Sequence, residues 1–245
     1  MKEYHWHTRQ PTTEHHQWFQ NLMDLHQLTR AWSIDLDEKR TSAVYHIKRV
    51  ADLDIQNNQT ILDKFSTNPI YGKLEFLLND KYPEEFLPQM EHMVWAVQAW
   101  NLRSILERIS SEERGALMNT LEHSSWKAGR ECSLKRWPQI PDTVKNDLCA
   151  VFAALLDSPL LGKTQRRMFL IKRAIASELE IELLACPHQT PYPETVPIMD
   201  ELCALHTHWM RGFVYALNTQ LVVDYKLRNH HPSRCLQHWK FHRDY

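Results

Sequence analysis

The chain has 245 residues, 43 % of them hydrophobic and 24 % charged, with a formal net charge of -1. That is an ordinary globular balance, long enough to bury a sizeable core without disulfide or metal staples. The near-neutral charge excludes a broad nucleic-acid-binding surface, which needs a basic footprint. Only five glycines are present, with no Walker loop and no GxGxxG, which excludes the common nucleotide folds.

No apolar run approaches the ~20 residues needed to span a bilayer, and the opening stretch lacks the apolar core of a signal peptide. The five cysteines are an odd number, spread from Cys132 to Cys235. A secreted disulfide framework would be denser and even-numbered. The expectation is a reducing cytoplasmic location, with no membrane and no nucleic-acid partner.

Residues 12–32 predict a helix, capped by Thr12 or Thr13, with Trp18, Leu22, Leu25 and Leu28 or Thr29 recurring at helical spacing. A second helix is expected near 41–52, and Asn57–Asn58 marks a turn. The weakest boundary falls near 66–83. A long helix follows over 83–108, with a reset at Pro88 and a stripe of Met90, Val94, Val97, Leu102 and Ile105. The next helix follows Ser110–Ser111, has acidic residues in its first turn, and runs to about Lys135. Pro138 and Pro141 stop it, and 142–156 is another apolar helix.

The character then changes. Residues 167–174 and 178–185 read as strands. The second alternates Leu179, Ile181 and Leu183 with Glu178, Glu180 and Glu182, the period of a half-exposed strand. Four prolines between 187 and 197 make an extended loop. A helix over 197–217 starts on Pro197, and strands over 221–227 and 234–242 flank a turn at 229–232. Helices first and strands later imply an α+β fold: an N-terminal helical layer followed by a small antiparallel sheet packed against helices. Residues 1–82 are an N-terminal helical segment and 83–245 an α+β domain.

Three cysteines each have a histidine neighbour, in Cys186-Pro187-His188, Cys203-x-x-His206 and Cys235-x-x-His238. Thiolate and imidazole suit zinc, copper or iron. Cys203 and His206 share a helix face, and Cys186 and His188 share a strand face. Cys235 and His238 are three apart on a strand and point to opposite faces unless a bulge intervenes. The alternative is three small hydrophobes in one core. As a nucleophile, Cys186 has the favourable place, at a strand end entering a loop, with His188 or His206 as its base.

Other histidines read as solvated or interface residues: His5 and His7 around Trp6, His15–His16, and His26. Glu91–His92 and Glu122–His123 are adjacent pairs, unlike the Glu-x-x-His repeats of di-iron bundles. Asp200 and Glu201 read as first-turn carboxylates favoured by the helix dipole. Arg130 and Arg211 each adjoin a helical glycine, Gly129 or Gly212. Such a glycine costs ~1 kcal/mol relative to Ala, so close packing is the expected reason for both. The two arginines are then placed to clamp a carboxylate, against the plainer reading of solvent-facing ion pairs.

From 85 to 245 the order of features resembles the L-2-amino-thiazoline-4-carboxylic acid hydrolase-like family, and more distantly 4-vinyl reductase-type binding domains. The matching pieces are WKAGREC on a helix, ACPHQ at a strand end, LCALHTHWMRGFVYALN on a helix, LVVDYKL and RCLQHWKF. Cys186-Pro187, Cys203, Phe213, Leu217-Asn218, Cys235 and Trp239 occupy positions that recur in those families. The chain departs from them at 230–234, His-His-Pro-Ser-Arg, where a Gly-Asp turn is frequent.

The resemblance implies a hydrolase of a small cyclic C–N bond. Cys186, His188, Cys203, His206 and Cys235 would be its catalytic group. Arg130, Arg211, Trp126, Trp209, Phe213, Asn218 and Trp239 would bind substrate. Two other readings stand beside it. One is a non-catalytic small-molecule-binding or sensor domain, with a pocket lined by Trp126, Trp209, Phe213 and Trp239. The other is a metal-dependent redox or oxygen enzyme with a divalent transition metal such as zinc, iron or manganese. The expected partner is a small molecule, with homo-oligomerisation left open.

Overall fold

A computed structural model describes residues 11–38, 57–58, 60–63, 74, 78, 82–107, 109–138, 147–158, 160, 169–183, 198–231 and 234–243; for 36–38, 169, 183, 225–231, 234–239 and 243 it describes the backbone alone. Five helices and four strands are named here: α1 (Thr13–Glu38), α2 (Pro83–Leu106), α3 (Ser111–Arg136), α4 (Leu148–Leu156), β1 (Phe169–Ile175), β2 (Glu178–Leu183), α5 (Met199–Leu217), β3 (Leu221–His231) and β4 (Arg234–Arg243). The fold is α+β, helices first and an antiparallel four-stranded sheet after them. None of the described helices is long and apolar enough to cross a membrane.

The helix ends follow local chemistry. Ser110 caps α3: its hydroxyl accepts from Glu113 N and the Glu113 carboxylate accepts from Ser110 N, a reciprocal capping box. Those bonds hold the Glu113 carboxyl below its ordinary range. Asp147 caps α4 by accepting from Cys149 N at 2.8 Å. Pro83 stands in the first turn of α2, where its missing N–H is harmless. The helix continues unbroken through Pro88, so the expected reset does not occur. Asn57 and Asn58 are helical and not a turn. The helix expected near 41–52 lies outside the described residues.

The sheet order is β1-β2-β4-β3, two hairpins joined edge to edge through β2 and β4. On β2 the alternation sorts by face. Leu179 and Ile181 are buried, while Glu178 pairs with Lys240 and Arg173, and Glu182 with Lys172. Leu221, Val223 and Phe241 complete the inner face. Phe241 lies against Phe152 of α4, ring centroids 6.1 Å apart. One apolar core runs from Phe19 of α1 through α2, α3 and α5 to Phe241, so α1 shares the core of the later domain. Each fully buried Leu or Phe in it contributes about 1.5–3 kcal/mol.

The pairwise contacts fix the helix directions. Trp32–Ser125 and Asp24–Arg136 have nearly constant sums of residue numbers, so α1 and α3 are antiparallel. Arg114–Glu201 and Glu122–His208 have nearly constant differences, so α3 and α5 run parallel. These two helices meet at Gly129 and Gly212. A Cβ on Gly129 would overlap the Trp209 carbonyl, and one on Gly212 would overlap the Trp126 carbonyl. The two Trp-x-x-Gly segments therefore pack backbone on backbone, each lending its Trp carbonyl to the other's glycine.

Candidate ligand-binding site

The opposite side of α3 faces α1 and is polar. Asp24, only 6 % exposed, sits at the centre. Arg136 donates to its Oδ2 from Nε at 2.9 Å and from Nη2 at 2.5 Å. Arg136 also donates to Asn21 Oδ1 at 2.7 Å and to the Asp157 carbonyl at 2.8 Å. Gln20 donates to Asp24 Oδ1 at 2.9 Å, and Lys135 Nζ stands 3.6 Å from it. This is how a buried carboxylate is tolerated: paired, and hydrogen-bonded on both oxygens. Further along, Trp32 donates to Ser125 Oγ at 2.8 Å, and Asp35 accepts from Ser124 and pairs with Lys127.

Between these two sets of contacts lies an open cleft of about 320 Å³, lined by both helices. One wall is Gln27, Arg30, Ala31 and Ile34 of α1; the other is Ala128, Glu131, Cys132 and Lys135 of α3, with Asp24 at the end. The small side chains leave the room, and the charged ones sit around it. The Cys132 thiol donates to Asp24 Oδ2 at 3.6 Å. Burial, and then the Asp24 charge, push its pKa up to about 12. It is a protonated thiol at neutral pH, a weak donor and no nucleophile.

Beyond Arg30 lies His26, fully buried. Its Nε2 meets Asp63 Oδ1 at 2.9 Å, and Arg30 Nε is 3.5 Å from the same oxygen. The expectation of a solvated or interface residue therefore fails for His26. It belongs to a His–Asp–Arg chain that holds Arg30 at the cleft.

The residues expected to carry chemistry fall in several places. Cys186 and His188 lie outside the described residues, as do the side chains of Cys235 and Trp239. Cys203 and His206 are buried on the inner side of α5. His206 Nε2 meets Gln98 Oε1 at 3.1 Å, and its ring lies edge-on to Trp95 at 5.5 Å. Trp209 and Phe213 are stacked at 5.1 Å in the core. Asn218 ends α5 and accepts from Gln220 N at 2.9 Å, an Asx turn leading into β3.

Trp126 meets Tyr215 on the outer side of the α3–α5 pair, Arg211 precedes Tyr215 by one turn and donates to the Val223 carbonyl, and the exposed Arg130 follows Trp126 by one turn. His206 and Arg211 are five residues apart, so they stand on opposite sides of their helix. Among the described residues, the catalytic and substrate-binding groups named from the sequence do not converge on one point. Nor does any group of three or more His, Cys, Asp or Glu among them stand ready to hold a metal ion.

The cleft itself was missed in the sequence, although a signal was there. Asn21, Asp24, Leu28, Trp32 and Asp35 follow one helical stripe, with polar residues in three of five core-facing positions. Comparison with protein-family models, curated proteins and solved structures finds no match for this chain.

Proposed function

We propose that this chain binds a small zwitterionic molecule in the cleft between α1 and α3. The observation that carries this reading is a cleft of about 320 Å³ that combines an apolar wall with charges of both signs. Its size is at the lower end of small-molecule sites, roughly 300–1,000 Å³. Ala31, Ile34 and Ala128 offer contact to a hydrocarbon or ring. Arg30 and Lys135 suit a carboxylate, and the exposed Glu131 suits an amine or amidine. The fixed Asp24–Arg136 pair keeps the wall rigid, which lowers the ordering cost of binding.

Saturation-transfer NMR with a panel of amino acids and cyclic amidino acids tests this. At least one should bind the native chain. Ala31→Phe, which fills the cleft, should abolish that binding with an unchanged circular dichroism spectrum. Binding that survives Ala31→Phe, or no binding by any member, would sink the proposal.

The hydrolase reading has the resemblance as its support. It needs a thiolate, and Cys132 does not supply one. It therefore rests on Cys186, with Cys203 and Cys235 beside it. A cyclic amidine carboxylate is itself a zwitterion, so the two readings share a ligand class. Turnover of such a compound, lost in Cys186→Ser, is the outcome that would favour catalysis over binding alone.

A further inference from the structure

We propose that the outer face of the α3–α5 pair is a second binding site, for a planar aromatic carboxylate. It is separate from the cleft, which lies on the α1 side of α3. His208, Arg211 and Tyr215 follow one another at helical spacing on α5 and share a face. Glu122 and Trp126, four apart on α3, stand opposite them.

The Trp126 and Tyr215 rings lie 5.3 Å apart, inclined at 52°, and Tyr215 is 40 % exposed. Aromatic side chains of this kind usually close over core; here the pair stands at the surface. Beside it, Arg211 donates from Nε to the Val223 carbonyl at 3.0 Å. That bond anchors the guanidinium at β3 through Nε, a geometry that suits its terminal nitrogens to a carboxylate. Glu122 is engaged by His208 at 3.4 Å. Arg130, one turn beyond Trp126, adds positive charge on the same side.

A pre-oriented guanidinium recognises a carboxylate by two parallel hydrogen bonds. An adjacent aromatic pair recognises a flat ring by stacking. The combination selects both features at once, so a ligand lacking either should bind poorly.

The test uses the whole chain and 2-naphthoate as the probe, followed by the Trp126 indole N–H signal, assigned with Trp126→Phe. 2-Naphthoate should shift that signal saturably. 2-Naphthamide, without the charge, and cyclohexanecarboxylate, without the flat ring, should each bind at least ten-fold more weakly. Arg211→Gln, whose amide retains a donor for Val223, should weaken 2-naphthoate at least ten-fold. Ala31→Phe in the cleft should leave it unchanged, which separates this site from the first. Should Arg211→Gln fail to fold, Tyr215→Ala at an exposed position carries the same expectation. Equal binding of the amide, indifference to both substitutions, or no saturable shift at millimolar probe would overturn the proposal.

Discussion

The two sides of α3 solve the packing problem in opposite ways. Toward α5 the helix presents Gly129, the backbones touch, and the flanking Trp209 and Phe213 are buried. Toward α1 it presents Ser124, Ser125, Cys132 and Arg136, and the contact is made by hydrogen bonds and charge. Removing side chains lets two axes approach until no space is left. Long charged side chains hold the axes apart, and the space between their anchor points becomes a cleft. Rigidity on one side and a cavity on the other therefore come from the same helix.

The largest effect should come from forcing a side chain into the glycine crossing. Gly129→Ala or Gly212→Ala drives a methyl into partner backbone, which cannot move aside as a side chain can. Either should cost about 5 kcal/mol or more in urea denaturation, the exceptional end for a single substitution. Gly115 on the same helix has nothing within reach of an added Cβ. Gly115→Ala should instead stabilise by about 0.5–1 kcal/mol. Equal effects at 115 and 129 would show that helix propensity, and not close approach, explains these glycines.

The α1 side should be next. Asp24→Ala removes the counter-charge of the Arg136 guanidinium, 13 % exposed, and should cost about 3–5 kcal/mol. Adding Arg136→Met should restore more than half of that loss, because a buried pair is expensive mainly when broken. If the double variant is as unstable as the single one, the network does more than satisfy itself.

A third experiment reads the same place without unfolding anything. Cys132 in the native chain should resist iodoacetamide at pH 8, by mass-spectrometric mapping, while the exposed Cys149 is labelled. Asp24→Asn removes a charge that disfavours the thiolate, so labelling of Cys132 should speed up. No change would assign its inertness to burial alone.

Much of the fold was legible in the sequence. Periodicity placed α2, α3 and α5 to within a few residues, while α1 runs six residues past its expected end at 32. The Leu-Glu alternation placed β2 because one of its faces meets the core and the other meets Lys172, Arg173 and Lys240. The role of the two glycines was legible because a helical glycine needs a reason. The candidate site was not. Asp24 and Arg136 are 112 positions apart and Glu122 and His208 are 86 apart, so no local spacing links them. Glu122 adjoins His123 in the sequence, but the histidine it meets, His208, is on another helix.

The smallest effect concerns His208, at the edge of the close-packed side. Burial holds its pKa below the ordinary 6.5; Glu122 opposes the shift and Arg211 adds to it. The unfolded chain therefore takes up this proton at a higher pH than the folded one. Its contribution to stability is complete above about pH 6.5 and falls as the pH drops toward the folded value. His208→Gln should flatten the acid side of the stability profile slightly. A steeper profile in the variant would reverse the sign.

The glycine crossing also sets the order in which the molecule can be completed. Gly129 meets the Trp209 carbonyl, 80 positions later in the chain (209 − 129). During synthesis at about 5–20 residues per second, roughly 4–16 s separate the emergence of the two. For that interval α1, α2 and α3 have their polar seam but not the helix that covers their remaining apolar surface. The nascent chain is thus most exposed to aggregation and chaperone capture after α3 has left the ribosome and before α5 has. Slowing or pausing translation in that stretch should lower the soluble yield more than the same pause placed after Leu217.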